Sequence, residues 1–170
     1  MIKKRGEALM ELVIVLAILG VVTIMVVSFT IITKGWVDIG VQRYQLTQDE
    51  RTATRVLHNF VDAYDSEDYS FTAFSGSELQ VLRKSDRTVC GSLRYDGEEG
   101  VLIAEYSNGS GDEEKFPVAH FTDLTVFIRS VPNSNDKLIC CRVYYKLDAT
   151  NTVRQTMNEF IEIVVAARNT

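Results

Sequence analysis

Residues 3–32 read KKRGEALMELVIVLAILGVVTIMVVSFTII, and the architecture of the chain turns on this stretch. From Leu12 to Ile32 there is no charged residue, and Val, Ile and Leu dominate. A helix over these residues covers roughly 31 Å at ~1.5 Å per residue, about one hydrocarbon core. Lys3, Lys4 and Arg5 precede the run, and basic residues flanking a span stay on the cytoplasmic side. The expectation is a single-pass anchor in the cytoplasmic (inner) membrane, with the C-terminal part outside.

Three readings of this segment compete. A cleaved secretory signal would have an apolar region of ~7–15 residues and a small-residue cleavage site beyond it. The run here is longer, and Val27-Ser28-Phe29 is a poor cleavage site. A plain signal anchor fits the hydropathy but leaves Glu11, at the head of the run, without a role beyond reaching to the headgroups. An intramembrane carboxylate costs ~2.5–3.5 kcal/mol near the bilayer centre and less near an interface. The third reading uses these residues together.

The segment from Lys3 to Leu12 resembles the class III leader of type IV prepilins and pseudopilins: a basic stretch, a glycine, a few mostly apolar residues, a glutamate, then an apolar helix. The resemblance implies that a prepilin peptidase cuts between Gly6 and Glu7, removing residues 1–6 and leaving the apolar run in the mature protein. Glu11 then becomes the fifth residue. Gly6 has no Cβ, which lets the chain lie extended in a protease cleft. Cutting frees an α-amine on Glu7, normally positive at neutral pH. When such helices pack together, a buried Glu11 needs a cation, and a neighbour's terminal amine supplies one. Two features depart from the family pattern. The first mature residue would be Glu7 rather than an apolar residue, which weakens the expectation of N-methylation. No proline stands near Ser28 in mid-helix. Both departures suit a minor subunit.

Helical signals persist past Lys34. Val37, Val41 and Tyr44 keep a 3–4 spacing, and Val56, Leu57, Phe60, Val61 and Tyr64 form an apolar stripe. Gly35 and Gly40 each weaken the helix by ~1 kcal/mol. The helix is expected to end between Tyr64 and Asp68, in an acidic turn without the glycine or spacing of a calcium loop. Beyond it, β-rich runs alternate with turn signals: 69–75, 78–83, 88–95, 101–106, 121–131, 138–147 and 159–167. Ile139, Cys141, Val143 and Tyr145 share one face of their strand, which predicts an antiparallel sheet covered on one side. The fold class expected is α+β: residues 7–33 as a membrane or filament-core helix, and 34–170 as a globular domain whose helix continues to about 65. The stretch closing on Val165-Ala166-Ala167-Arg168-Asn169, and the region 51–61, resemble J-type pseudopilins and PilW-type minor pilins.

The chain has 170 residues and a net charge of −5. Residues 34–170 hold 15 of the 18 Lys and Arg and 21 of the 23 Asp and Glu, hence about −6. An acidic domain repels phosphate backbones, so no direct nucleic acid contact is expected. Strand alternation places Cys90 and Cys140 on polar faces, a candidate disulfide pair outside the cell. Three ordinary thiols, Cys141 included, is the simpler reading. His58 and His120 are isolated, no metal-ligand spacing occurs, and no cofactor is expected. There is no nucleophile elbow, phosphate loop or zinc-protease motif, so an enzyme is not expected. The expected role is structural, as a minor pilin or pseudopilin of a pilus-like or secretion-type filament. The resemblance implies other major and minor pilins, an assembly ATPase, a platform protein and the prepilin peptidase as partners. The alternative is a membrane-anchored or pilus-tip module that binds an external ligand.

Overall fold

A computed structural model describes residues 2–106, 112–132, 136–147 and 157–167; for 2–8, 146–147 and 157–159 it describes the backbone alone. One helix, α1 (Ile2–Ala63), runs 62 residues, about 93 Å at ~1.5 Å per residue. It passes through Gly35 and Gly40 without interruption. Eight strands follow: β1 (Tyr69–Phe74), β2 (Glu78–Arg83), β3 (Val89–Asp96), β4 (Val101–Tyr106), β5 (Asp112–Pro117), β6 (Phe121–Ser130), β7 (Lys137–Leu147) and β8 (Met157–Ala167). The protein is therefore α+β, one long helix packed on antiparallel sheet.

The strands form two sheets. Sheet A is the meander β1-β2-β3-β4-β5, and sheet B is the meander β6-β7-β8. Period-2 alternation predicts one covered face, and both sheets have it. Phe71, Leu79, Val81, Leu93, Leu102 and Ala104 point inward from sheet A. Leu124, Val126, Ile139, Cys141, Val143, Ile163 and Val165 do so from sheet B. The C-terminal half of α1 lies on both, burying Leu46, Ala53, Val56, Leu57, Phe60, Val61 and Tyr64. Ala53 and Leu57 meet Leu93 and Leu102 from sheet A, and Leu124, Cys141, Val143 and Ile163 from sheet B, around one small interior gap.

Polar ties hold the sheets together. The turn between β1 and β2 takes left-handed φ at Ser75 (51°) and Gly76 (76°), and Gly76 O accepts from Val126 N on β6 at 2.7 Å. Tyr95 Oη donates to Phe121 O at 2.7 Å. Its phenol is raised above its ordinary pKa by burial and then by Asp123, Asp96 and Asp49, so it keeps the proton it donates.

The structure corrects the sequence reading at three places. β5, with the sequence DEEKFP, was not expected as a strand, because its apolar residues do not alternate. It survives as the outer strand of sheet A through its ladder with β4. Cys90 does not lie on a polar face. Register shifts opposite it, Val81 pairing Gly91 and Leu82 pairing Val89, and an extra residue in one strand reverses which side chains face inward. Val89 is thus 45% exposed and Cys90 is 3% exposed, within the core. The Cys90–Cys140 disulfide is not formed, and all three cysteines are free and buried. Cys90 faces the core from sheet A, while Cys140 lies on sheet B on the face opposite Cys141. Of the expected turns, residues 107–111 and 133–135 fall outside the described residues.

Candidate membrane-spanning and assembly segment

Among the described residues, nothing covers the first half of α1. Every residue from Leu12 to Ile32 is exposed, and none of the apolar window is buried inside the protein. Side chains such as Leu16 (57%) and Ile24 (68%) stand open on all sides of the helix. Each large apolar side chain removed from water gains roughly 1.5–3 kcal/mol, so the segment requires another apolar medium. It is the one helix among the described residues long and apolar enough to cross a membrane.

Three threonines in and next to the span are satisfied within the helix. Thr23, Thr30 and Thr33 each donate a hydroxyl hydrogen to the carbonyl four residues back, on Leu19, Val26 and Phe29, all at 2.8 Å. An unpaired hydroxyl in hydrocarbon would cost several kcal/mol, and the i−4 bond removes that cost. Trp36 is 74% exposed, one turn past Ile32, where an amphipathic ring sits well among headgroups.

Glu11 is the one carboxylate at the head of this run, and it is solvent-exposed in the single chain. Glu7 lies one helical turn before it, and the backbone of Gly6 is helical. The side chains of Lys3, Lys4, Arg5 and Glu7 lie outside the described residues. Among the described contacts, no cation of the same chain reaches Glu11.

The far end of the helix is clamped. Tyr64 Oη donates to Cys90 O at 2.6 Å inside the core. Its ring lies so near Gly91 that a Cβ there would come within 2.7–2.9 Å of it. Phe60, Tyr64, Tyr69 and Tyr106 pack as an aromatic cluster with centroids 5.3–6.3 Å apart. Higher on the helix, one oxygen of Asp49 accepts from His120 N at 3.0 Å and lies 2.8 Å from His120 Nδ1. Sequence inspection treated His120 as isolated, since its partner is 71 residues away.

Two of the three buried thiols are raised above their ordinary pKa. Burial pushes the Cys141 thiol up to about 12, with Cys140 beside it adding to the shift, and burial also raises Cys140. Among the described residues no group of His, Cys, Asp and Glu converges as a metal site.

A further cluster escaped the sequence reading. On the outer face of sheet B, Arg142 lies 4.6 Å from the ring centroid of Phe160 and 5.4 Å from that of Phe127, and Arg129 lies 4.9 Å from Phe127. Both arginines share Glu162, at 3.4 Å from Arg142 and 3.8 Å from Arg129. The only signal in the sequence was the polar alternation of Arg142 within β7; the partners come from cross-strand register. Compared with known proteins, the chain matches no family profile, no curated sequence and no solved structure.

Proposed function

We propose that this chain is a minor pilin or pseudopilin, inserted in the cytoplasmic membrane by the first half of α1 and assembled through that helix into a filament. The observation that carries the reading is Glu11, a carboxylate at the head of an apolar span that the chain's own fold leaves bare. Lipid alone accounts for the span but not for the carboxylate. A bundle of such helices accounts for both, since it covers the apolar side chains and brings a neighbour's N-terminus to Glu11. Partial pairing of a buried charge removes several kcal/mol of desolvation cost. In this reading, prepilin peptidase cuts after Gly6, the domain of residues 34–170 faces outward, and an assembly ATPase and platform protein drive incorporation. A place near the filament tip suits Glu7 as first mature residue.

Sequencing the N-terminus of the mature protein tests the reading. The expected first residue is Glu7. A start at Met1, or one downstream of Ile32, rejects it. Glu11→Ala is expected to insert in the membrane normally and to fail in filament incorporation, measured on sheared filaments.

A further inference from the structure

The outer faces of the two sheets differ in chemistry. On sheet B, the two guanidiniums of Arg129 and Arg142 carry about ten N–H donors between them, and the one carboxylate they share is Glu162. Both contacts are longer than the ~2.7–2.9 Å of a strong charge-assisted bond. Arg142 Nε is buried and has no hydrogen-bond partner. Stacking on Phe127 and Phe160 fixes the guanidiniums in place before anything binds. An apolar rim borders them, with Phe160 53% and Val164 47% exposed. The Tyr144 side chain is a second hydrogen-bond partner of Arg142, and the cluster is thus pre-set and edged with apolar surface.

Sheet A carries the complement. Glu98 and Glu99 in the turn after β3, Glu105 on β4, and Asp112, Glu113 and Glu114 on β5 are all exposed. The cations set among them are Arg94, 3.8 Å from Glu113, and Lys115, 2.8 Å from Glu99. Among the described residues, carboxylates outnumber cations along this edge. Pro117 ends β5 exposed, while Phe116 beside it packs against the core.

We infer that the outer face of sheet B docks the acidic β4–β5 edge of a second copy of this chain, with Arg129 and Arg142 receiving its glutamates and Phe160 and Val164 covered by the contact. The contact joins two different surfaces, and where it is not reciprocal it is head-to-tail and leaves both surfaces free at the ends of a row. Insofar as it places copies side by side in a filament, the inference rests on the pilin reading above.

The test uses the full chain in its native membranes, with a photo-crosslinking residue in place of Phe160. The expected product has twice the chain mass, and its cross-linked peptide maps within residues 98–117. Adducts with lipid, with an external ligand or with a different protein overturn the inference, as does the absence of any adduct. Arg142→Glu is expected to lower the homodimeric adduct about tenfold, a change of ~1.4 kcal/mol. Glu114→Arg in the same chain should restore it. Arg129→Glu, at a side chain 59% exposed, repeats the charge reversal where misfolding is not a concern, and an undiminished adduct there rejects the guanidinium contact. N-terminal sequencing separates this inference from the reading it rests on. A chain starting at Met1 that still cross-links through β5 keeps the docking and loses the filament. A chain starting at Glu7 that cross-links elsewhere does the reverse.

Discussion

Residues 12–32 and 46–64 belong to one unbroken helical segment, ended by the turn at Tyr64, yet the first is bare and the second is packed on the sheets. In the second stretch the apolar residues recur at 46, 53, 57, 60 and 64, forming one stripe that the sheets cover. In the first they surround the helix, and no described residue covers them. A helix apolar on one stripe stabilises a domain by folding. A helix apolar all round stabilises nothing until lipid or other helices surround it. The comparison separates two free energies, that of the domain and that of insertion, which mutations should move independently.

Phe60→Ala is expected to have the largest effect. Phe60 is fully buried at the junction of the helix with the aromatic cluster, and its loss should cost about 3–5 kcal/mol of domain stability. Denaturant unfolding checks this, while carbonate extraction should show unchanged membrane retention. Loss of both together would break the separation. The converse variant is Val22→Arg at the middle of the span, at a cost of about 2.5–3.5 kcal/mol to insertion. Membrane retention should fall sharply, with the domain's unfolding midpoint unchanged.

Gly91→Ala comes next and acts on the clamp between helix and sheet. A Cβ at Gly91 would meet Tyr64 Oη and ring carbons at 2.7–2.9 Å, and overpacking of this kind costs about 1–3 kcal/mol. The hydrogen bond from Tyr64 to Cys90 O should weaken with it, seen as faster amide exchange in β3. An unchanged unfolding midpoint would mean the ring gives way freely.

The same two stretches differ in how far they could be read from sequence. Hydropathy announces residues 12–32 outright, because that signal needs only composition. The stripe at 56, 57, 60, 61 and 64 was legible from its spacing, and so were seven strands from their alternation. Pairing was not legible. Nothing in the alternation says that β5 joins β4 or that the chain starts a second sheet at Phe121, since alternation records which face a residue takes and not which strand it pairs with. The reversal of Cys90 came from one extra residue in β3, which exchanges the faces of Val89 and Cys90 and leaves Leu93 inward. Of the assembly segment, Gly6, Glu7 and Glu11 stand out in the sequence. The guanidinium cluster does not, because its members sit on three strands.

The smallest effect follows from titration and marks the boundary between the two regions. Burial holds the Cys141 thiol at about 12, against ~8.5 for an exposed cysteine. A group whose pKa is raised by folding contributes stability that is fully present below its unfolded value and is lost as pH rises towards the folded one. The unfolded chain gives up this proton first, so domain stability should fall by about 1 kcal/mol between pH 9 and 10. Cys140, Tyr95 and Tyr106 are shifted in the same direction, chiefly by burial, and add to the slope. Cys141→Ala should flatten it without abolishing it, as followed by denaturant unfolding at both pH values. Residues 12–32 contain no titratable group, so membrane retention should stay constant over the same range. A parallel loss of retention would mean that the domain and the span are not energetically separate, because only a change passed down the helix could connect a thiol in sheet B to the bare half of α1.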